Sequence, residues 1–253
     1  VRLSAVSLVR GFRHLFLPLV GALLLAACSG EGEQQKETAG KTGAPASTAS
    51  VASAQAKAQP IPRGSGFDFY VLSLSWSPSW CIENDPSGRT QQCAAKNNHG
   101  FIVHGLWPQN EQAYPEFCRT RESDRVPEAL GRSLFDIMPS MGLIGHEWRK
   151  HGSCSGLSQR DYFAVLRAAR EKVTIPPQLQ SVETPQRTSA AEIETALSAA
   201  TPGLRDDALA VTCADGRVDE VRICFNKDLS FRTCSEIDRG GCRLKNLSLP
   251  PIP

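Results

Sequence analysis

Nine cysteines in 253 residues constrain this chain more than any other feature. Eight of them, Cys81, Cys93, Cys118, Cys154, Cys213, Cys224, Cys234 and Cys242, fall in the later part of the sequence, and the ninth, Cys28, stands apart. An even set in an exported chain reads as a disulfide framework, which persists in an oxidising compartment such as a bacterial periplasm. Eight cysteines allow many pairings, and their spacing does not choose among them.

Export is read from the other end of the chain. Arg2, Arg10 and Arg13 lead into an apolar run from Leu15 to Ala27, the pattern of an export signal over residues 1–27. The run is shorter than the roughly 20 residues a membrane helix needs, and no later stretch approaches that length. Leu25-Ala26-Ala27-Cys28 has the form of a lipobox, in which the cysteine takes a lipid and becomes the mature N-terminus. The alternative is a cleaved signal that leaves one buried thiol. The expected location is the periplasm of a bacterium, as a soluble or lipid-tethered protein, with secretion also open. The membrane would be met only through that lipid.

From Cys28 to Gly64 the chain is rich in Ala, Ser, Thr, Gln, Gly, Lys and Glu and has no aromatic residue. Such a segment buries too little surface to offset its ordering entropy, so residues 28–64 read as a flexible tether. Residues 65–253 are long enough for one domain with its own core. The formal charge of +2 is smaller than the contribution of the three signal arginines, which no acid accompanies. The remainder is therefore close to neutral, which excludes holding a polyanion by a bulk positive field. Any nucleic acid must be gripped locally.

Apolar residues fill both parities of Phe67–Trp76, as in a central strand with both faces covered. A second strand is expected over 99–106, with Ile102, His104 and Leu106 on one side, and a polar loop over 81–98 between the two. Helices are expected at 128–137, 144–151, 160–173 and 190–199. Ser158 and Ser189 stand where capping boxes would open the last two. Strands return at 209–213, 218–225 and 229–234, with turns at Asp215-Gly216 and Asn226-Lys227-Asp228. Strands, then helices, then strands indicate an α+β fold: a central, mainly antiparallel sheet with several flanking helices, stapled by disulfides.

Beyond the signal there are four histidines, three of them in two short segments: His104-Gly105-Leu106-Trp107-Pro108 and His146-Glu147-Trp148-Arg149-Lys150-His151-Gly152-Ser153-Cys154. Imidazole changes charge near neutral pH, so two histidines can donate and accept a proton in one turnover. His146-Glu147 looks superficially like a zinc-protease helix, but the next histidine comes at i+5, which puts the two rings ~140° apart around the helix. No metal is expected. Glu147, one turn before His151, can orient and polarise that ring, and Lys150 supplies positive charge for a pentacoordinate phosphate. RNA cleavage needs little more, since its nucleophile, the 2′-hydroxyl, belongs to the substrate. His99 has no motif partner and reads as a strand end or loop cap, and Trp148 reads as core. The sequon Asn246-Leu247-Ser248 is set aside as coincidental behind a bacterial export signal.

Phe67-Asp68-Phe69-Tyr70-Val71-Leu72-Ser73-Leu74-Ser75-Trp76-Ser77-Pro78-Ser79-Trp80-Cys81, the strand segment Gly100–Pro108 and the segment His146–Cys154 together resemble the three hallmark segments of the ribonuclease T2 family, in order. The likeness covers essentially the whole domain from Phe67. It implies a cofactor-free endoribonuclease that acts on single-stranded RNA and not DNA, through a 2′,3′-cyclic phosphate. It further implies His104 as general acid, His151 as general base, Glu147 and Lys150 as transition-state stabilisers and His146 as a phosphate-site residue. Trp107 and Tyr114 match positions where family members stack a base; for Trp107, core packing is the equal alternative. Many relatives carry an acid where this chain has Gln109, so broad base specificity is expected. The resemblance also implies the bridges Cys81–Cys93, Cys118–Cys154, Cys213–Cys242 and Cys224–Cys234. A monomer is expected, since the substrate is an extended polymer. Two other classes remain: a catalytically silent tethered module that binds RNA or a partner, and a metal-dependent hydrolase.

Overall fold

The computed structural model describes residues 60–94 and 96–253; the signal, Cys28 and the tether as far as residue 59 lie outside the described residues. Strand β1, Phe69–Trp76, is buried at every position. It runs antiparallel between β2, Phe101–Gln109, and β5, Arg217–Phe225. Tyr70, Leu72, Leu74 and Trp76 enter the main core, while Phe69 and Val71 pack on the opposite face against the Cys224–Cys234 bridge. That is the two-sided burial the strand's unbroken apolar run requires.

Two helices follow β1 and β2: α1, Ser77–Asn84, and α2, Glu128–Arg132. Next come α3, Met141–Lys150, and α4, Gln159–Glu171, which cover the core face of the sheet. After them lie β3, Gln186–Thr188, α5, Ala190–Ala200, and β4, Leu209–Ala214. Beyond β5 the chain ends with α6, Ser235–Arg239, and β6, Leu247–Leu249. The sheet order is β2-β1-β5-β6-β3, with β4 also on β5. All pairings are antiparallel except the single parallel contact of Arg217 with Ser248. The α+β architecture is thus the expected one, and the four disulfides join the expected pairs.

Several local expectations are corrected. Cys81–Asn84 is helical and not loop, because Pro78 stands in the first turn of α1, where its fixed φ suits a helix start. The helix expected over 128–137 stops at Arg132 and continues as tight turns. No strand forms over 229–234: Leu229 takes a left-handed φ of 60°, and a lone bridge from Phe225 to Phe231 precedes α6. The short strands β3 and β6 and helix α6 carry too few apolar residues for a periodic signal. The full capping box at Ser189 is present, whereas at α4 the Ser158 hydroxyl accepts from the Asp161 N–H and donates to the Asp161 carboxylate, without the return bond to the Ser158 backbone N–H.

The correction with most consequence lies in β2. Ser73 faces Gly105 and Leu74 faces Val103, so His104 is an extra residue in the ladder, a β-bulge. Alternation breaks there. Val103 and Leu106 both enter the core, while Ile102, His104 and Trp107 share the other face, so Leu106 does not lie beside His104 as simple alternation required. A second shift, between Val211 and Cys213 of β4, sets Asp219 and Glu220 of β5 together against Thr212. The two bulges lie in the strands on either side of β1.

Candidate active site

Between the bulges and the C-terminal half of α3 is a cavity of about 570 Å3. His104, Trp107, Gln109, Tyr114, His146, Glu147, Lys150 and His151 all line it, so the structure brings every candidate catalytic and substrate-binding residue to one place. Trp148, in contrast, is fully buried in the core, where its indole N–H donates to the Ser123 carbonyl at 2.8 Å. His99 lies in the loop before β2, away from the cavity lining.

Helix α3 presents these groups for a local reason. Ser140 caps it by accepting from the Leu143 N–H, and Ile144, Glu147 and Trp148 form its buried stripe. Burying each large apolar side chain contributes on the order of 1.5–3 kcal/mol, which fixes the helix's rotation. Glu147, 1% exposed, is thereby carried inside with them. Its room comes from Gly105: a β-carbon there would collide with the Glu147 carboxylate and the Trp107 indole nitrogen. Gly152 performs the same service for the Trp148 and Tyr162 rings. His104 and His151, the two histidines expected to act as acid and base, are thus each followed by a glycine at which no side chain fits.

Glu147 does not orient His151, as its position one turn earlier suggested. It turns toward Gly105, where Oε2 accepts the Trp107 indole N–H at 2.9 Å and Oε1 lies 3.5 Å from His104 Nε2. The His151 Nδ1 atom is buried without a hydrogen-bond partner among the described residues. Burial pushes the Glu147 carboxyl up to about 7, against the pull of His104, the Trp107 bond and Lys150.

The two histidines are biased in opposite directions. For His151, burial first, then Lys150, His104 and His146, bring the ring down to about 3, so it is held neutral. For His104, burial is the largest single influence and acts downward, but the hydrogen bond and charge of Glu220, followed by Glu147, outweigh it and raise the ring above its ordinary value. His146 is lowered by burial and then by Lys150 and Arg149. Lys150 itself stands 3.9 Å from Glu116 in a half-exposed pair.

Trp107 sits between these groups, its ring centroid 5.4 Å from His104 and 5.3 Å from His151. The Arg222 guanidinium lies over it at 5.3 Å. Tyr114, 54% exposed, stands at the rim, on a segment that Ala113 turns with a φ of 71°. Sequence reasoning missed Trp80, Asp219, Glu220 and Arg222, which also line the cavity. For the three β5 residues the available signal was a run of charge inside an otherwise apolar strand, which also describes a solvated face. Among the described residues no group of three His, Cys, Asp or Glu side chains is disposed to hold a metal ion.

The model of the ribonuclease T2 family matches residues 67–234. A ribonuclease of Aeromonas hydrophila is 43% identical over 113 residues, covering 45% of this chain and 49% of that protein. A probable ribonuclease of Haemophilus influenzae is 36% identical over 123 residues, covering 44% and 45%. The chain therefore spans about half the length of these relatives. Among solved structures, RNase NT in complex with 5′-AMP superposes with a TM-score of 0.57 at 23% identity, over 74% of this chain and all of that one, a likeness of fold.

Proposed function

Because the chain belongs to the ribonuclease T2 family, we propose that it is an exported endoribonuclease that cleaves single-stranded RNA by metal-independent transphosphorylation. The observation that carries this is the pair of histidines in one cavity, one biased toward its charged form and the other toward its neutral form. An acid and a base needed in the same step must differ in that way at the start of turnover.

In the proposed reaction His151 takes the proton of the 2′-hydroxyl, the 2′-oxygen bonds to phosphorus, and the bond to the 5′-oxygen breaks as His104 protonates it. The products are a 2′,3′-cyclic phosphate and a free 5′-hydroxyl. Lys150 and His146 face the charge that gathers on the equatorial oxygens, a role worth about 10²–10³ in rate for a well-placed donor. A ring held at about 3, by burial first and by Lys150, His104 and His146 after it, is a feeble base in the empty site, and the negative charge of the bound phosphodiester acts against both by favouring the imidazolium. Glu147 supports the site from beneath through Trp107 and His104. Exposed Tyr114 and partly buried Trp107 offer aromatic faces to bases, and Gln109, which can both donate and accept, suits broad base preference. No helix of the described residues is long and apolar enough to cross a membrane. Lipidation at Cys28 and a monomeric state are proposed from the sequence.

The test is to incubate the purified, disulfide-bonded protein with RNA and matched DNA in excess EDTA and to resolve the products. Cyclic phosphate from RNA alone supports the reading. No cleavage under any condition would favour a silent binding module, and cleavage of both polymers only with added metal would overturn the mechanism.

A further inference from the structure

The proposed mechanism leaves one buried charged pair without a task. Glu220 is 7% exposed, and a carboxylate taken out of water costs several kcal/mol unless it is fully paired. Its Oε1 accepts from His104 Nδ1 and, at 3.4 Å, from the Ser75 hydroxyl. Its Oε2 accepts from Arg222 Nε at 3.0 Å and Nη2 at 2.8 Å. Its backbone N–H donates to the Thr212 hydroxyl at 3.1 Å, the contact made by the β5 bulge. Both carboxylate oxygens are occupied by protein donors, and the side chain is held by two neighbouring strands and its own.

We propose that Glu220 is the positioning residue of the general acid: it accepts the Nδ1–H of His104, aims Nε2 into the cavity and supplies the negative charge that balances the imidazolium, with Arg222 clamping it in place. The inference rests on the reading that His104 protonates the leaving 5′-oxygen. In that step the proton leaves Nε2 while the Nδ1–H stays on the His104 ring, donated to the Glu220 carboxylate as a hydrogen bond. His104 ends neutral and His151 holds the proton taken from the 2′-hydroxyl, so the count balances. A histidine whose tautomer and tilt are fixed by a carboxylate behind it presents one defined nitrogen to its substrate.

Other charged and polar groups face His104. From α3 and its end come Glu147, His146 and His151; from β5 come Asp219 and Arg222; Trp107 lies edge-on along the same strand. Of the two carboxylates in contact with the ring, burial drives Glu147 toward neutrality, whereas His104 and Arg222 hold Glu220 ionised against its own burial, at about 2. Glu220 is therefore the standing counter-charge.

The discriminating variant is Glu220→Gln, which keeps the shape and an acceptor oxygen but removes the charge. Two quantities are followed in the full, disulfide-bonded protein: the His104 ring titration by 15N-edited NMR, and the pH profile of kcat/KM on a dinucleoside phosphate. The His104 midpoint and the alkaline limb of the profile should both fall by about one pH unit or more, with KM little changed. Arg222→Met serves as the second variant. It leaves the Glu220 carboxylate in place but removes its clamp and the cation that keeps it ionised, so the His104 midpoint should fall here too, by less than in Glu220→Gln. A His104 midpoint that stays at the wild-type value in whichever variant folds would overturn the proposal. A wild-type protein inert on RNA while the His104 midpoint still responds to Glu220→Gln would sink the ribonuclease reading and leave the coupling standing.

Discussion

Replacing Cys118 and Cys154 with alanine should lower stability by roughly 4 kcal/mol. The bridge joins residues 36 apart in sequence, and the chain-entropy relation for a loop of that size gives about this figure at 25 °C. The bridges Cys81–Cys93 and Cys224–Cys234, with separations of 12 and 10, should each contribute roughly 3 kcal/mol by the same relation. The ring closed by Cys118–Cys154 also contains α2 and α3, so the loss falls on the helix that carries Glu147 and Lys150. That helix end keeps other ties: the Phe117 N–H donates to the Lys150 carbonyl at 2.8 Å, and the Cys118 N–H to the Ser153 hydroxyl at 3.1 Å. The site should therefore loosen before the sheet unfolds. Urea titrations of the wild type and each double-alanine variant, followed in parallel by far-UV circular dichroism and by RNA cleavage, measure both effects. Activity should disappear at lower urea than the helical signal in the Cys118/Cys154 variant. Equal midpoints for all variants, or coincident loss of activity and dichroism, would refute the reasoning.

Gly105→Ala should cost about 1–3 kcal/mol in stability, the usual range for overpacking. It should cut kcat on the order of 10²-fold, because the added methyl must displace the Glu147 carboxylate; thermal melting and steady-state kinetics check the two figures. Tyr114→Ala should raise KM for a dinucleoside phosphate about tenfold with kcat unchanged, as expected for losing one exposed stacking face. Stability should also depend on pH in two regimes. His151, about 3 folded against 6.5, and Glu220, about 2 against 4.5, bind more protons unfolded, so each favours folding as pH rises through its window. Glu147, about 7 against 4.5, acts in the opposite sense. Between about pH 5 and 6.5 His151 and Glu147 offset one another. Below pH 4.5 Glu220 and His151 act together, so stability should fall as pH drops toward 2. Urea midpoints that fell steadily from pH 7 downward would contradict this assignment.

Much of the site was legible because its chemistry is written in two short stretches. His146, Glu147, Lys150 and His151 fall within two helical turns, and a helix followed by a cap is enough to bring them to one cavity. Strand β1 was legible for a similar reason, since an unbroken apolar run has few other uses. What could not be read were relations made across the sheet. Glu220 is 116 residues from His104, and nothing in Arg217-Val218-Asp219-Glu220-Val221-Arg222 separates an outward charged face from one turned to a site. The direction of Glu147 was equally hidden. Helical spacing placed it near His151, but the empty volume above Gly105, on a different element, decides where its carboxylate goes. Short edge strands such as β3 exist only because a partner lies beside them.

The extra residue in β2 makes this strand two strands joined end to end. Up to His104 its even-numbered side chains look toward the substrate cavity; from Gly105 onward the odd-numbered ones do. Deleting His104 would close the bulge and restore simple alternation, with Leu106 still in the core and Trp107 and Gln109 still toward the cavity, but without the proposed proton donor. A deletion scan of this strand should therefore find the joint to be the place where one residue can be lost with the fold kept and activity abolished, whereas deletion of a paired residue inverts the side chains beyond it. For engineering, the same joint separates two problems. The segment beyond it can be varied for base recognition in register with itself, while the segment before it keeps the proton donor where Glu220 of β5, across β1, holds it.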